Sequence, residues 1–135
     1  MSKRMVAGVA LLLMAGCAGG PPTDAPAVAV SEAHASVASL ALAARLRLDD
    51  RSTDAYTTVM LQTTRDAVAD AQRELTVADD ADEGRLATAA PVVARAASEV
   101  SGLARAGASA LTPADLDRLL ALEQDLADAE RELGR

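Results

Sequence analysis

A chain of 135 residues with one tyrosine and neither phenylalanine nor tryptophan has few ways to build an interior. Half of its residues are hydrophobic, and nearly half of these are alanine, backed by leucine and valine. Alanine has the highest helix propensity of any residue but buries little area, so the expected interior is helical, closely packed and thin. The same poverty of rings excludes functions. Base-stacking platforms, aromatic cages for quaternary amines and aromatic grooves for proline-rich peptides all need several rings.

Four periodic segments with breaks between them set the expected architecture. The first runs from Ser31 to Leu48, with Ser31 as N-cap and Val30, Ala33, Val37, Leu40, Ala41, Ala44 and Leu48 along one face. The second spans Thr53 to Ala78, capped by Ser52 or Thr53. Its expected stripe is Tyr56, Val59/Met60, Thr63, Ala67, Ala71, Leu75 and Ala78, with Tyr56 packing in the core or against a loop. The third carries Leu86, Val93 and Val100 at heptad spacing and closes at Gly107. Its start is expected near Asp80 to Asp82 with a bend at Pro91, the alternative being a start near Thr88 with Pro91 in the first turn. The fourth opens on Thr112-Pro113-Ala114-Asp115, an N-cap, a proline at N1 and an acid at N3. Leu119, Leu122, Leu126, Ala129 and Leu133 then follow in 3-4-3-4 spacing. That seam is expected to be internal core; a surface for a partner helix is the alternative.

Short connections make these segments antiparallel neighbours, so the fold class is all-α, a small antiparallel bundle of four helices. A three-helix core with the first helix loosely docked is the alternative. One extended trimeric coiled coil does not fit breaks at 49–52, 79–84 and 107–112.

Ahead of the helices, Met1-Ser2-Lys3-Arg4 supplies positive charge and Met5 to Ala15 an apolar run of about eleven residues, too short to span a bilayer but suited to an export signal. The run ends Leu12-Leu13-Met14-Ala15-Gly16-Cys17, with the only cysteine of the chain. This stretch resembles the lipobox of bacterial lipoproteins, although Met14 stands where that family usually has leucine. The resemblance implies cleavage between Gly16 and Cys17, thioether lipidation of Cys17, and a lipid-anchored protein on the extracytoplasmic side of the cell membrane or outer membrane. The expected organisation is therefore a removed signal over 1–16, a lipidated cysteine and Gly/Pro/Ala tether over 17–30, and a helical bundle over 31–135. Ala18 is not the aspartate that retains such proteins in the inner membrane.

Removing Lys3 and Arg4 leaves eleven arginines against twenty acids, which moves the formal charge from −7 to −9. Such a body lacks the clustered cations that phosphate contacts demand, so no nucleic acid is expected as partner, and anionic headgroups repel it.

No catalytic, metal or cofactor site is expected. The acidic run Asp79-Asp80-Ala81-Asp82-Glu83-Gly84 fails as a calcium loop: counted from Asp80, Gly84 falls at position 5, Arg85 at 6 and Pro91 at 12. His34, the only histidine, is read as a solvated residue in the first turn of its helix, since zinc needs three or four donors. The carboxylate pairs Glu130/Glu132 and Asp125/Asp128 are read as a wet helix face. No nucleophile elbow, phosphate loop or dinucleotide fingerprint occurs. The expected function is a non-enzymatic structural or protein-interaction module of the cell envelope, its partner another envelope protein and homo-oligomers allowed. One alternative is an assembly role like that of the small pilot lipoproteins, which hold a partner's helix in an apolar groove. The other is binding of a small apolar ligand between the helices.

Overall fold

The computed structural model describes residues 24–78 and 83–135, and these are all-helical. Five α-helices follow in order: α1 (Ala25–Leu48), α2 (Asp54–Thr76), α3 (Glu83–Leu86), α4 (Ala89–Ala106) and α5 (Pro113–Leu133), with a 3-10 turn at Ala108–Ala110. α1 packs against α2 and α5, α2 against α4, and α4 against α5, while α1 and α4 face each other across the interior. Thr64 on α2 donates its hydroxyl to the Ser36 carbonyl at mid-helix, and Arg47 pairs with Asp54 beside the connecting loop. Those two levels show α1 and α2 running in opposite directions. The arrangement is the four-helix bundle, with all four long helices docked.

Start signals explain where three helices begin. Thr112 accepts from the Asp115 amide at 3.2 Å, and Asp115 accepts from the Thr112 amide at 3.0 Å, a reciprocal capping box with Pro113 behind it. Thr53 caps α2 with its own hydroxyl alone, accepting from the Tyr56 amide at 3.2 Å. α1 obeys this grammar too, and begins six residues before the expected Ser31. The Asp24 carboxylate accepts from the Ala27 amide at 3.3 Å, and Pro26 sits in the first turn, where its missing N–H costs nothing. Residues 25–30, expected as tether, are thus helix, with Ala29 and Val30 buried. Asp24, also expected as tether, is the cap of α1, and residues 16–23, with Gly16 and Cys17, lie outside the described residues.

The end of α1 is equally specific. The Arg51 amide donates to the Leu46 carbonyl at 2.8 Å and the Asp50 amide to Arg47 at 3.1 Å, while Asp50 takes φ 55°. This double bond pattern closes a helix through one left-handed residue, a position usually given to glycine and tolerated by aspartate.

At the third segment the expected bend is replaced by a break. α3 stops at Leu86, and α4 starts afresh at Ala89 with Pro91 as its third residue. A continuous helix would set the proline ring against the Ala87 carbonyl and lose a backbone bond; in a first turn the absent donor is one that no carbonyl would have met.

The interior has two layers. One joins Val30, Ala33 and Val37 of α1 to Val68 and Leu75, Leu86, Val93, and Leu122, Leu126 and Leu133 of α5; the other gathers Leu40, Ala44, Leu61, Val100, Leu111 and Leu119 near the α1–α2 and α4–α5 turns. On α2 the buried row is Thr57, Leu61, Thr64, Val68, Ala71 and Leu75, one residue away from the expected stripe over its first half. Tyr56 and Val59 are exposed, at 51% and 58%, so Tyr56 is not a core residue. The true row repeats at 4-3-4-3-4 and brings in Leu61 and Val68. Its threonines are buried at no polar cost, because Thr57 donates to the Thr53 carbonyl and Thr64 to Ser36.

Leu126 is fully buried, so Leu126→Ala should lower unfolding stability by about 2–5 kcal/mol. Leu42→Ala, at a site 57% exposed, should change it by no more than about 0.5 kcal/mol in denaturant titration. Asp50→Gly should raise stability by about 0.5–1 kcal/mol, because it removes the Cβ from a left-handed position.

Candidate functional site

The expected site residues fall in different places. Leu119, Leu122, Leu126 and Leu133 are all buried within the bundle, so in this fold the α5 seam is interior and offers no surface to a partner. Residues 79–82 of the acidic run lie outside the described residues, as does Cys17. Among the described residues no group of three or more His, Cys, Asp or Glu side chains is placed to hold a metal.

His34 departs from expectation. Because α1 starts at Ala25, His34 sits in its third turn and not its first, and it faces α5. Its Nδ1 lies 2.7 Å from Glu130 Oε2, with both side chains partly buried. The Ser31 hydroxyl and then the His34 ring hold the Glu130 carboxyl below its ordinary value, against an opposing push from burial. An ionised carboxylate only accepts, so the Nδ1 atom carries the proton in this contact. One carboxylate thus ties two successive turns of α1 to the last third of α5. Sequence periodicity carries no trace of such a pairing, since the partners are 96 residues apart.

Of the other carboxylates expected on a wet face, Glu132 is exposed, and Asp125 and Asp128 are engaged in ion pairs there. Asp125 meets Arg95 of α4, and Asp128 meets Arg131 one turn on. At the same end as the α1 start, Arg85 of α3 pairs with Asp24 and donates to the Leu133 carbonyl at 3.1 Å. That guanidinium joins the N-cap of α1 to the C-terminal turn of α5, where free carbonyls favour a cation. It also holds the Asp24 carboxyl below its ordinary range, assisted by the Ala27 amide. Glu130, the Arg95–Asp125 pair and Arg85 tie one helix to another, while Asp128 and Arg131 pair within α5.

The described surface includes a groove and a cleft. A shallow groove of about 200 Å³ between α1 and α2 is lined by Ala35, Ser36, Ser39, Met60, Thr63 and Thr64. A half-open cleft of about 350 Å³ between the C-terminal half of α4 and the first turn of α5 is lined by Glu99, Gly102, Leu103, Ala106, Asp115 and Arg118. The large exposed apolar side chains Val28, Leu42, Tyr56, Val59 and Val77 belong to α1, α2 and the C-cap of α2. α1 is also the one described helix long and apolar enough to cross a membrane by length and composition. Eight of its residues are nevertheless buried among the other helices. A helix apolar nearly all round is what a central position with two neighbours requires.

Comparison with protein-family models, with curated proteins and with solved structures gave no match to this chain.

Both depressed carboxyls contribute stability that is complete above their ordinary values and is lost as pH falls through the lower values of the folded state. Glu130→Gln should therefore lower the melting temperature most near neutral pH. The gap from the parent chain should close as pH drops well below 4.5, the ordinary value for this group. A gap that stays constant over the whole acid range would contradict the role given to Ser31 and His34.

Proposed function

We propose that this chain is a lipid-anchored protein of the bacterial cell envelope whose helical bundle acts as a non-enzymatic structural or protein-interaction module. The observation that carries the reading is the run Met5 to Cys17, an apolar segment of signal length ending in Ala15-Gly16-Cys17. The fold adds a constraint on reach. With α1 starting at Ala25, only Ala18 to Asp24 separate a lipidated Cys17 from the bundle, about 20–25 Å at full extension. The bundle would sit close to the headgroups, held by lipid, since a net-acidic body gains nothing from an anionic surface. One acyl chain gives only marginal binding, and two or more make an anchor stable.

The test is mass spectrometry of the membrane-extracted protein together with a Cys17→Ser variant. The expected peptide begins at Cys17 and carries thioether-linked diacylglycerol. The variant should keep Met1 to Gly16 and lose its lipid. A native protein with an unmodified Cys17 and an intact first sixteen residues would overturn the anchor and the location.

A second reading, an assembly role in which the bundle holds a partner's amphipathic helix, is favoured by the exposed apolar residues on α1 and α2. A photocrosslinker at Tyr56 or Leu42 in intact cells should then capture one discrete protein, while the same probe at Asp117 on α5 should not. Equal labelling at the three positions would count against that reading.

A further inference from the structure

The cleft between α4 and α5 contains two features that packing does not explain. Gly102 lies in the interior of α4, where glycine costs about 1 kcal/mol relative to alanine. A Cβ built on it meets no atom within 4 Å, so neither close approach nor backbone conformation demands a glycine. Its effect is to leave room, in the lining of the larger of the two cavities. Glu99, one turn earlier on the same face, is partly buried at the rim, yet among the described residues its carboxylate has no hydrogen-bond or ion-pair partner. The acid on the opposite wall is already committed: Asp115 accepts from the Thr112 amide and hydroxyl at 3.0 Å each, and Arg118 lies 3.3 Å from its other oxygen. The lining thus holds one neutralised pair and one carboxylate with no partner among the described residues, beside the apolar Gly102, Leu103 and Ala106.

We propose that this cleft is a binding site for a small aliphatic amine, its chain lying over Gly102 and Ala106 and its ammonium meeting Glu99. Charge chooses the head group. A carboxylate or phosphate ligand would face Glu99, and the one cation in the lining, Arg118, is already matched by Asp115. Size chooses the body. A cleft of about 350 Å³ stands at the lower end of ligand-site volumes, enough for a chain of about eight carbons. The absence of rings in the lining leaves a carboxylate, and not an aromatic face, to recognise the cation. The site is independent of the lipid anchor and goes beyond the interaction role proposed above.

The full purified chain is titrated with n-octylammonium, octanoate and 1-octanol, following backbone amide shifts and melting temperature. Octylammonium is expected to saturate, to shift the Gly102 and Ala106 amides first, and to bind about tenfold more tightly than 1-octanol, with octanoate weakest. Glu99→Gln should bring octylammonium down to the level of 1-octanol. Gly102→Leu should fill the floor and abolish saturable binding while far-ultraviolet circular dichroism stays helical. Should that variant unfold, Gly102→Ala serves in its place and should weaken binding by a smaller factor while raising stability. No saturable binding of octylammonium, equal affinity for the three probes, or affinity unchanged on substituting Gly102 would each overturn the proposal.

Discussion

The packing of leucines from α5 and α2 against alanines of α1 is the constraint on which the rest of this bundle depends. Alanine lets helix axes approach but fills little volume, so each buried alanine needs a larger side chain opposite. α5 supplies Leu119, Leu122, Leu126 and Leu133, while α1 contributes Ala29, Ala33, Ala41 and Ala44 between its valines and Leu40. Neither helix could make a core alone. That complementarity also explains why α1 is apolar on most of its circumference: it is sandwiched between α2 and α5, and both flanks are interior.

Polar ties then fix the register that the apolar contacts leave loosely specified. The Ser36–Thr64 bond sets α1 against α2, Glu130 with Ser31 and His34 sets α5 against α1, and Arg95–Asp125 sets α4 against α5. Arg85 gathers the N-cap of α1 and the last turn of α5 at one end. Most of these groups are partly exposed, where each ion pair contributes at most about 1 kcal/mol. Their value lies in choosing one alignment among the several that an alanine-rich interface would accept.

Much of this was legible in the sequence, and the failures have physical causes. α5 could be read almost residue by residue because its cap, its proline and its leucine seam agree. The same cap-and-proline grammar stands at Asp24-Ala25-Pro26, yet the neighbouring glycines and prolines made it look like linker. On α2 the expected stripe includes Tyr56 and omits Thr57, although a threonine that bonds to its own helix is a good interior residue. Pro91 was compatible with either a bend or a fresh start, and only the break after Leu86 decides. His34 with Glu130, and the cleft that Glu99 and Gly102 line, are invisible to periodicity because they depend on which helices become neighbours. The processing proposed at Cys17 would be local chemistry, on which the packing of the bundle does not bear.

The central physical claim is that α1, from its first turn at Ala25, is an integral wall of the bundle and not the end of a linker or a detachable membrane segment. Native-state hydrogen exchange of the amides from Ala29 to Leu40, compared with those from Leu119 to Ala129, tests it most directly. Comparable protection in the two sets, with opening only through global unfolding, is the predicted result. Free exchange across Ala29 to Val37 while α5 stays protected would contradict it.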